Sequence, residues 1–394
     1  MKIVFLEKLL IKKTDEIAQS LSLGIEQGKI ENLKGLYNGK CGILLFLYYY
    51  SKYKKNPYFS AITDSFLDQL LEEISEEIDH HSFCSGLSGI LYMFQFLKEK
   101  KIVDIDFSET EKALENYLIH KMRMDISSLH YDFMHGALGV GLYFMKKSND
   151  KVIPELIDFL DKTAEKDKKN NIYKWKSILD SKTNEAGFNI ALCHGISSIV
   201  LFLSRVIKKG FGDKKIFELL EGAVNYILSQ EIDSNIYGSC FPYQSKQKIS
   251  GSRLAWCYGD LGVSYALWFA GITTNNSHWK DKGLEVLIKS TRRLSPYENG
   301  VVDAGICHGC AGIAMVYRRM YLETQLPVFL SSTRYWLNQC LNFANYKDGL
   351  AGYKTHGNEE KDDYGLLTGI AGIGLIFISY LTNDNQRWDE LLLM

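Results

Sequence analysis

Cysteine and histidine concentrate at one recurring position of this 394-residue sequence. Seven times a glycine introduces an apolar stretch. The two residues just before it are Tyr37-Asn38, Cys84-Ser85, Met134-His135, Cys193-His194, Cys257-Tyr258, Cys307-His308 and Leu367-Thr368. Four of the eight cysteines and three of the nine histidines fall on these fourteen positions. Brought together, thiolates and imidazoles suit a tetrahedral zinc, with one position left open where the metal is catalytic. A lone cysteine is more often a small hydrophobe. That is the reading for Cys41, Cys240 and Cys340, and filler is also preferred for Cys84 and Cys193. Cys307-x-x-Cys310 has no second Cys-x-x-Cys to complete a structural site. The residue types predict a zinc site in this layer and leave its ligands undecided.

These positions belong to a repeat. The copies begin NGKCGILLFLYYY at Asn38, SGLSGILYMFQFL at Ser85, HGALGVGLYFM at His135 and HGISSIVLFLSRV at His194. They continue with YGDLGVSYALWFA at Tyr258, HGCAGIAMVYRRM at His308 and TGIAGIGLIFISY at Thr368. The leading glycines, at 39, 86, 136, 195, 259, 309 and 369, are 47, 50, 59, 64, 50 and 60 residues apart. A second glycine follows three residues later, except that Ser198 takes its place in the fourth copy. Such periods indicate a two-helix repeat with variable loops. Between copies lie segments such as Ser65 to Ile78, apolar on one helical face and acidic on the other.

A helix apolar around most of its circumference must be enclosed by protein. Seven inner helices ringed by seven outer ones satisfy this as a closed α/α toroid. An open solenoid would need polar capping repeats, yet the first and last copies are as apolar as the rest. The predicted fold is therefore all-α, one domain over 1–394, with room for insertions within 147–187 and 204–252. The paired glycines predict close backbone approach and a sharp turn into each helix. Unpaired N–H groups at the inner N-termini would favour anions at that end.

Composition narrows the function. Lys and Arg number 46 against 47 Asp and Glu, a net charge of −1, which argues against a nucleic-acid partner. Eight cysteines in a chain of this length are not a disulfide scaffold. The N-terminal run is interrupted by Glu7 and Lys8 and shows no small-residue cleavage site. No apolar stretch approaches the roughly 20 residues of a transmembrane helix. The expectation is a cytoplasmic protein with reduced thiols, peripheral to a membrane only through partners.

Ser-Arg-Leu-Ala-Trp-Cys-Tyr-Gly-Asp from Ser252, with Gly-Ile-Cys-His-Gly-Cys-Ala-Gly-Ile from Gly305, resembles the lanthionine synthetase C-like cyclases. The resemblance extends over all seven repeats. It implies a seven-fold α/α barrel with one catalytic zinc per chain, closing thioether rings in dehydrated, lantibiotic-type precursor peptides. Carried over by motif, the zinc ligands are Cys257, Cys307 and His308. The catalytic histidine falls on His194, its acidic partner on Asp132, and an arginine four residues before the first zinc cysteine on Arg253. The implied partners are the precursor peptide, a dehydratase and an exporter.

The implied chemistry suits these residues. A free thiol, with pKa near 8.5, is mostly protonated at neutral pH, and metal coordination deprotonates it. Thiolate addition to the β-carbon of dehydroalanine or dehydrobutyrine leaves an enolate that needs a proton. A histidine suits that step near pH 7, and Arg253 can stabilise the enolate or orient Asp132. Three other readings compete. Relatives in the same superfamily add glutathione to dehydroamino acids in proteins. A glycoside-processing barrel would need a rim carboxylate pair such as Asp132 and Asp260. A non-catalytic scaffold would close its zinc with a fourth ligand such as Cys193.

Overall fold

Each apolar segment after a repeated glycine is an inner helix, and each is preceded in the chain by an outer one. A computed structural model describes residues 3–30, 33–76, 80–103, 108–147, 151–180, 183, 185–245, 250–357, 359–383 and 387–394. In chain order the pairs are α1 (Ile3–Glu26) with α2 (Lys40–Lys54), α3 (Pro57–Glu76) with α4 (Leu87–Glu99), and α5 (Ser108–Ser127) with α6 (Ala137–Lys146). Then come α7 (Ile153–Thr163) with α8 (Ile196–Val206) and α9 (Lys214–Ser229) with, after the short α10 (Ser234–Tyr237), α11 (Asp260–Thr274). The last are α12 (Ser277–Ser290) with α13 (Cys310–Thr324) and α14 (Pro327–Asn342) with α15 (Ile370–Thr382).

The ring closes. Helix α1 packs on α15 at the other end of the chain, and α15 packs beside α2. Inner helices are buried around their circumference, as in α6 from Ala137 to Met145 and α15 from Ile370 to Ser379. Outer helices bury one stripe: α7 buries Ile153, Leu156, Ile157, Phe159 and Leu160. The predicted α/α toroid is the fold.

Between α7 and α8 lie strands β1 (Glu165–Asp167), β2 (Ile172–Lys174), β3 (Ser177–Asp180) and β4 (Glu185–Gly187). They form two antiparallel two-stranded sheets, β1 with β2 and β3 with β4. Strands of three or four residues are too short to show period-two alternation, so the sequence signals none. Trp175 anchors this insertion, donating Nε1–H to the Leu160 carbonyl at 2.9 Å.

Six of the seven loops before inner helices fold back over that helix's first turn. The first helical N–H is bonded to a carbonyl seven residues upstream: Lys40 to Leu33, Leu87 to His80, Ala137 to His130, Ile196 to Asn189, Cys310 to Asp303 and Ile370 to Asp363. In these six repeats the first N-terminal donor expected to attract anions is bonded within the chain, which corrects that expectation there. The glycines mark where the fold-back leaves no space. At the second glycine of six repeats, a Cβ would collide with the carbonyl of Leu36, Phe83, Phe133, Trp256, Ile306 or Leu366, six residues earlier. Only Gly259 among the leading glycines has a positive φ, 82°. Close approach explains the glycines generally, and a left-handed turn explains that one.

The residue two before each leading glycine joins neighbouring repeats. Tyr37 N bonds to Cys84 O, Cys84 N to Met134 O, Cys193 N to Cys257 O and Cys257 N to Cys307 O. Cys307 N bonds to Leu367 O, and Leu367 N returns to Tyr37 O at 2.8 Å. Among the described residues, the Met134–Cys193 step alone lacks such a bond.

Beneath this layer the segment Trp388–Met394 enters the barrel. Tyr37 Oη donates to Leu391 O at 2.6 Å, and Trp256 Nε1 donates to Leu392 O at 3.1 Å. Asp389 accepts from Arg319 Nη2 at 2.6 Å and from Nε at 2.8 Å, both side chains buried. Asp389→Ala would remove the carboxylate that pairs the buried Arg319 guanidinium. The expected loss is about 3–5 kcal/mol of stability, read from urea denaturation midpoints. An unchanged midpoint would mean that this segment does not support the barrel.

Candidate active site

The seven side chains two before the glycines converge inside the ring. Tyr37 is buried beside Cys84, Cys193 and Cys307. The next residues in the chain, among them His135, His194, Tyr258, His308 and Thr368, are more exposed and line the mouth.

On one arc the ligand atoms of Cys257, Cys307 and His308 all lie within 4.8 Å of one another. Ligands on one tetrahedral zinc sit about 3.5–3.8 Å apart, given Zn–S near 2.3 Å and Zn–N near 2.0 Å. A contraction of about 1 Å would therefore seat the ion. Two thiols and one imidazole are a donor set that zinc accepts, so these residues fit it. Cys193 also touches the sulfurs of Cys257 and Cys307 but is not part of the group that includes His308.

Charge is distributed unevenly over the sulfurs. Burial pushes the Cys257 thiol up, but donation from Cys193 and Cys307, with Arg253 nearby, holds it well below its ordinary value. The bond with Cys193 lowers Cys307, yet Cys257 and burial outweigh it and leave Cys307 at about 11. His308 is pushed up to about 10, first by Asp303 and then by Cys307.

On the adjoining arc stands a second device. Asp132 Oδ1 accepts Met134 N at 2.7 Å and His135 N at 3.0 Å. Its Oδ2 lies 2.6 Å from His194 Nδ1. Burial penalises both charges. The contact overrides that penalty, holding Asp132 below and His194 above their ordinary values. This pair bridges the one step where the backbone ring is open. His135 stacks on His194 at 5.8 Å, and Tyr258 lies 6.4 Å from it. Tyr243 stacks on Tyr258 at 4.4 Å. Arg253 stands near both Cys257 and Tyr243.

The family described as lanthionine synthetase C-like protein matches residues 32–393. The chain belongs to this family. It is 22% identical over 391 residues to the nisin biosynthesis protein NisC of Lactococcus lactis subsp. lactis, covering 91% of this chain and 88% of that one. The solved structure of nisin cyclase superposes with a TM-score of 0.77 at 19% identity, covering 96% of each chain. A shorter match, 25% over 166 residues, is to glutathione S-transferase LANCL1 of Danio rerio, covering 40% of this chain and 36% of that one.

The geometry also bears on the competing readings. Asp260 is only 2% exposed and accepts Cys240 N, Phe241 N and Arg293 Nη1 at 2.9–3.0 Å. Held that way it cannot serve as the second carboxylate of a glycoside-processing pair. Cys310 is buried against Cys340, away from the cluster that holds Cys307. No helix among the described residues is long and apolar enough to cross a membrane.

Two rim residues escaped the sequence pattern. Tyr243 comes from a loop outside the repeat, and no sequence signal marks it. Asp303 stands six before a leading glycine, where Asn189 and Asp363 also stand, so alignment at that position would have found it. For the metal cluster, the expected outcome is close to one zinc per chain by elemental analysis. Cys257→Ala, Cys307→Ala and His308→Ala should each sharply lower it. Full occupancy in Cys307→Ala would rule out this ligand set.

Proposed function

We propose that this chain is a zinc-dependent peptide cyclase. It forms lanthionine and methyllanthionine thioethers by adding cysteine thiols to dehydroalanine and dehydrobutyrine residues of a lantibiotic-type precursor peptide. The observation that carries the reading is the placement of two devices on adjoining arcs of one rim: the Cys257–Cys307–His308 cluster and the Asp132–His194 pair.

Bound by the cluster, zinc would deprotonate a substrate thiol at neutral pH. Attack on the β-carbon forms the C–S bond and moves the double-bond electrons into an enolate. With Nδ1 committed to Asp132, His194 presents Nε2 and delivers its proton to the α-carbon. Asp132, fixed by two backbone N–H groups, holds the ring in one orientation and favours its protonated form. Arg253 places a permanent positive charge near the enolate oxygen. Tyr258, backed by Tyr243, walls the substrate beside His194. A dehydratase supplies the dehydroamino acids, and an exporter removes the product.

A second reading, addition of glutathione to dehydroamino acids in proteins, draws support from the Danio rerio match. One preparation tests both. Intramolecular ring closure consumes a free thiol at unchanged peptide mass, whereas glutathione addition raises the mass of its acceptor by one glutathione. Absence of thiol loss on any dehydrated peptide, with glutathione transferred instead, would replace the first reading by the second.

His194→Asn should keep its zinc and lose roughly 10²–10⁴ in ring-closure rate, as when a general acid is removed. His135→Asn should be milder. Loss of metal in His194→Asn, or inactivity confined to His135→Asn, would move His135 or Cys193 into the reacting set.

The pH profile tests the pair separately. Because Asp132 raises His194, the acid form persists above the ordinary histidine range. The rate should fall as pH climbs through that raised pKa. Asp132→Asn removes the charge that raises it, so this limb should move to lower pH. A limb unmoved in Asp132→Asn would show that His194 is not the group being titrated.

A further inference from the structure

We propose that Asp303 is a positioning residue for His308, holding the imidazole at Nε2 so that Nδ1 is the nitrogen presented to zinc. This rests on the reading of Cys257, Cys307 and His308 as zinc ligands.

The rim uses one device three times. Asp132, Asp303 and Asp363 each spend Oδ1 on the backbone of their own turn. Asp303 Oδ1 accepts Gly305 N at 3.0 Å, and Asp363 Oδ1 accepts Gly365 N at 2.7 Å. Each then offers Oδ2 to a side chain just before a leading glycine. Asp132 Oδ2 meets His194, Asp363 Oδ2 accepts Thr368 Oγ1–H at 2.6 Å, and Asp303 Oδ2 lies 3.4 Å from His308 Nε2. The turn locks the carboxylate, so the client side chain inherits a fixed direction.

Asp303 is only 3% exposed. A buried carboxylate is costly unless its oxygens are all partnered. Its backbone donors are Gly305 N and, at 3.2 Å on Oδ2, His356 N. An Nε2–H from His308 supplies the further donor, and a neutral ring with that proton has Nδ1 free as a ligand. A carboxylate behind a ligating histidine fixes its tautomer and raises its basicity. His356 and His308 also line the same cavity of about 650 Å³, so one carboxylate contacts two residues of its wall.

Asp303→Asn tests this. Its amide oxygen can keep the turn, as Asn189 does in bonding Ala191 N at 2.8 Å, but its amide nitrogen cannot accept from Nε2–H. Asp303→Ser is a second variant, because a serine hydroxyl can make the same two-residue turn to Gly305 N more weakly. Asp363→Asn is the control for the same turn without a histidine. Zinc affinity would be measured by chelator competition, and melting temperature on the metal-free proteins. Both Asp303 variants should bind zinc roughly 10–100-fold more weakly, with Asp363→Asn like wild type and metal-free melting within a few degrees throughout. Wild-type zinc affinity in either folded Asp303 variant would overturn the proposal. So would equal weakening in Asp363→Asn, since that would make the effect one of the turn. A wild-type protein that binds no zinc would overturn the metal reading itself, before any variant is compared.

Discussion

Seven helices starting at one end of a ring would leave many backbone donors unpaired, at roughly 1–3 kcal/mol for each buried group. The loops remove that cost by folding back over the helices they introduce and presenting their own carbonyls. This fold-back depends on glycine, because the carbonyl occupies the place of a Cβ. It also brings the residue two before the leading glycine against its counterpart in the next repeat. A second set of backbone hydrogen bonds, made by that residue, then joins the repeats around the ring at every step but one among the described residues. Side chains at that position have nowhere to go but inward, which is why cysteines scattered over more than two hundred residues of sequence meet.

The circle is open at one step, and the site is built there. Between Met134 and Cys193 the backbone bond is missing among the described residues, and Asp132 takes its place. One carboxylate oxygen caps the loop and the other reaches His194 in the next repeat. A backbone bond has no protons to give to a substrate, whereas an imidazole held by a carboxylate does. Structure and proposed proton chemistry thus use the same contact. This makes Asp132 hard to replace without moving His194, and it is the reason a pH profile is more informative for that residue than a bare loss of rate.

Much of this was legible in the sequence, for a physical reason. Inner helices must be apolar all round, so Leu44, Val140 and Ile376 lie in runs that no other element would produce. The fold-back demands glycine, so the repeat could be aligned without homologues. Alignment then placed Cys257, Cys307, His308 and His194 in one layer, where the structure has them. The anion-binding N-termini were wrong because helix propensity says nothing about a loop returning over its own helix. Strands β1 to β4 left no trace because they are too short for a period. Tyr243 was invisible because its loop lies outside the repeat, and its stacking on Tyr258 is a tertiary contact.

Whether such a cluster holds a metal for chemistry or only for structure turns on a fourth ligand. Cys193 is the natural candidate, since its sulfur touches two of the proposed ligands and is 1% exposed. Burial, followed by the two neighbouring thiols, pushes its pKa well above normal, but the proposed ligand Cys307 is pushed up too, so position distinguishes the two sulfurs. Cys193 lies outside the cluster that includes His308. On the proposed reading, the fourth position is left to the substrate's own cysteine. That is what a catalytic site requires and a structural site excludes.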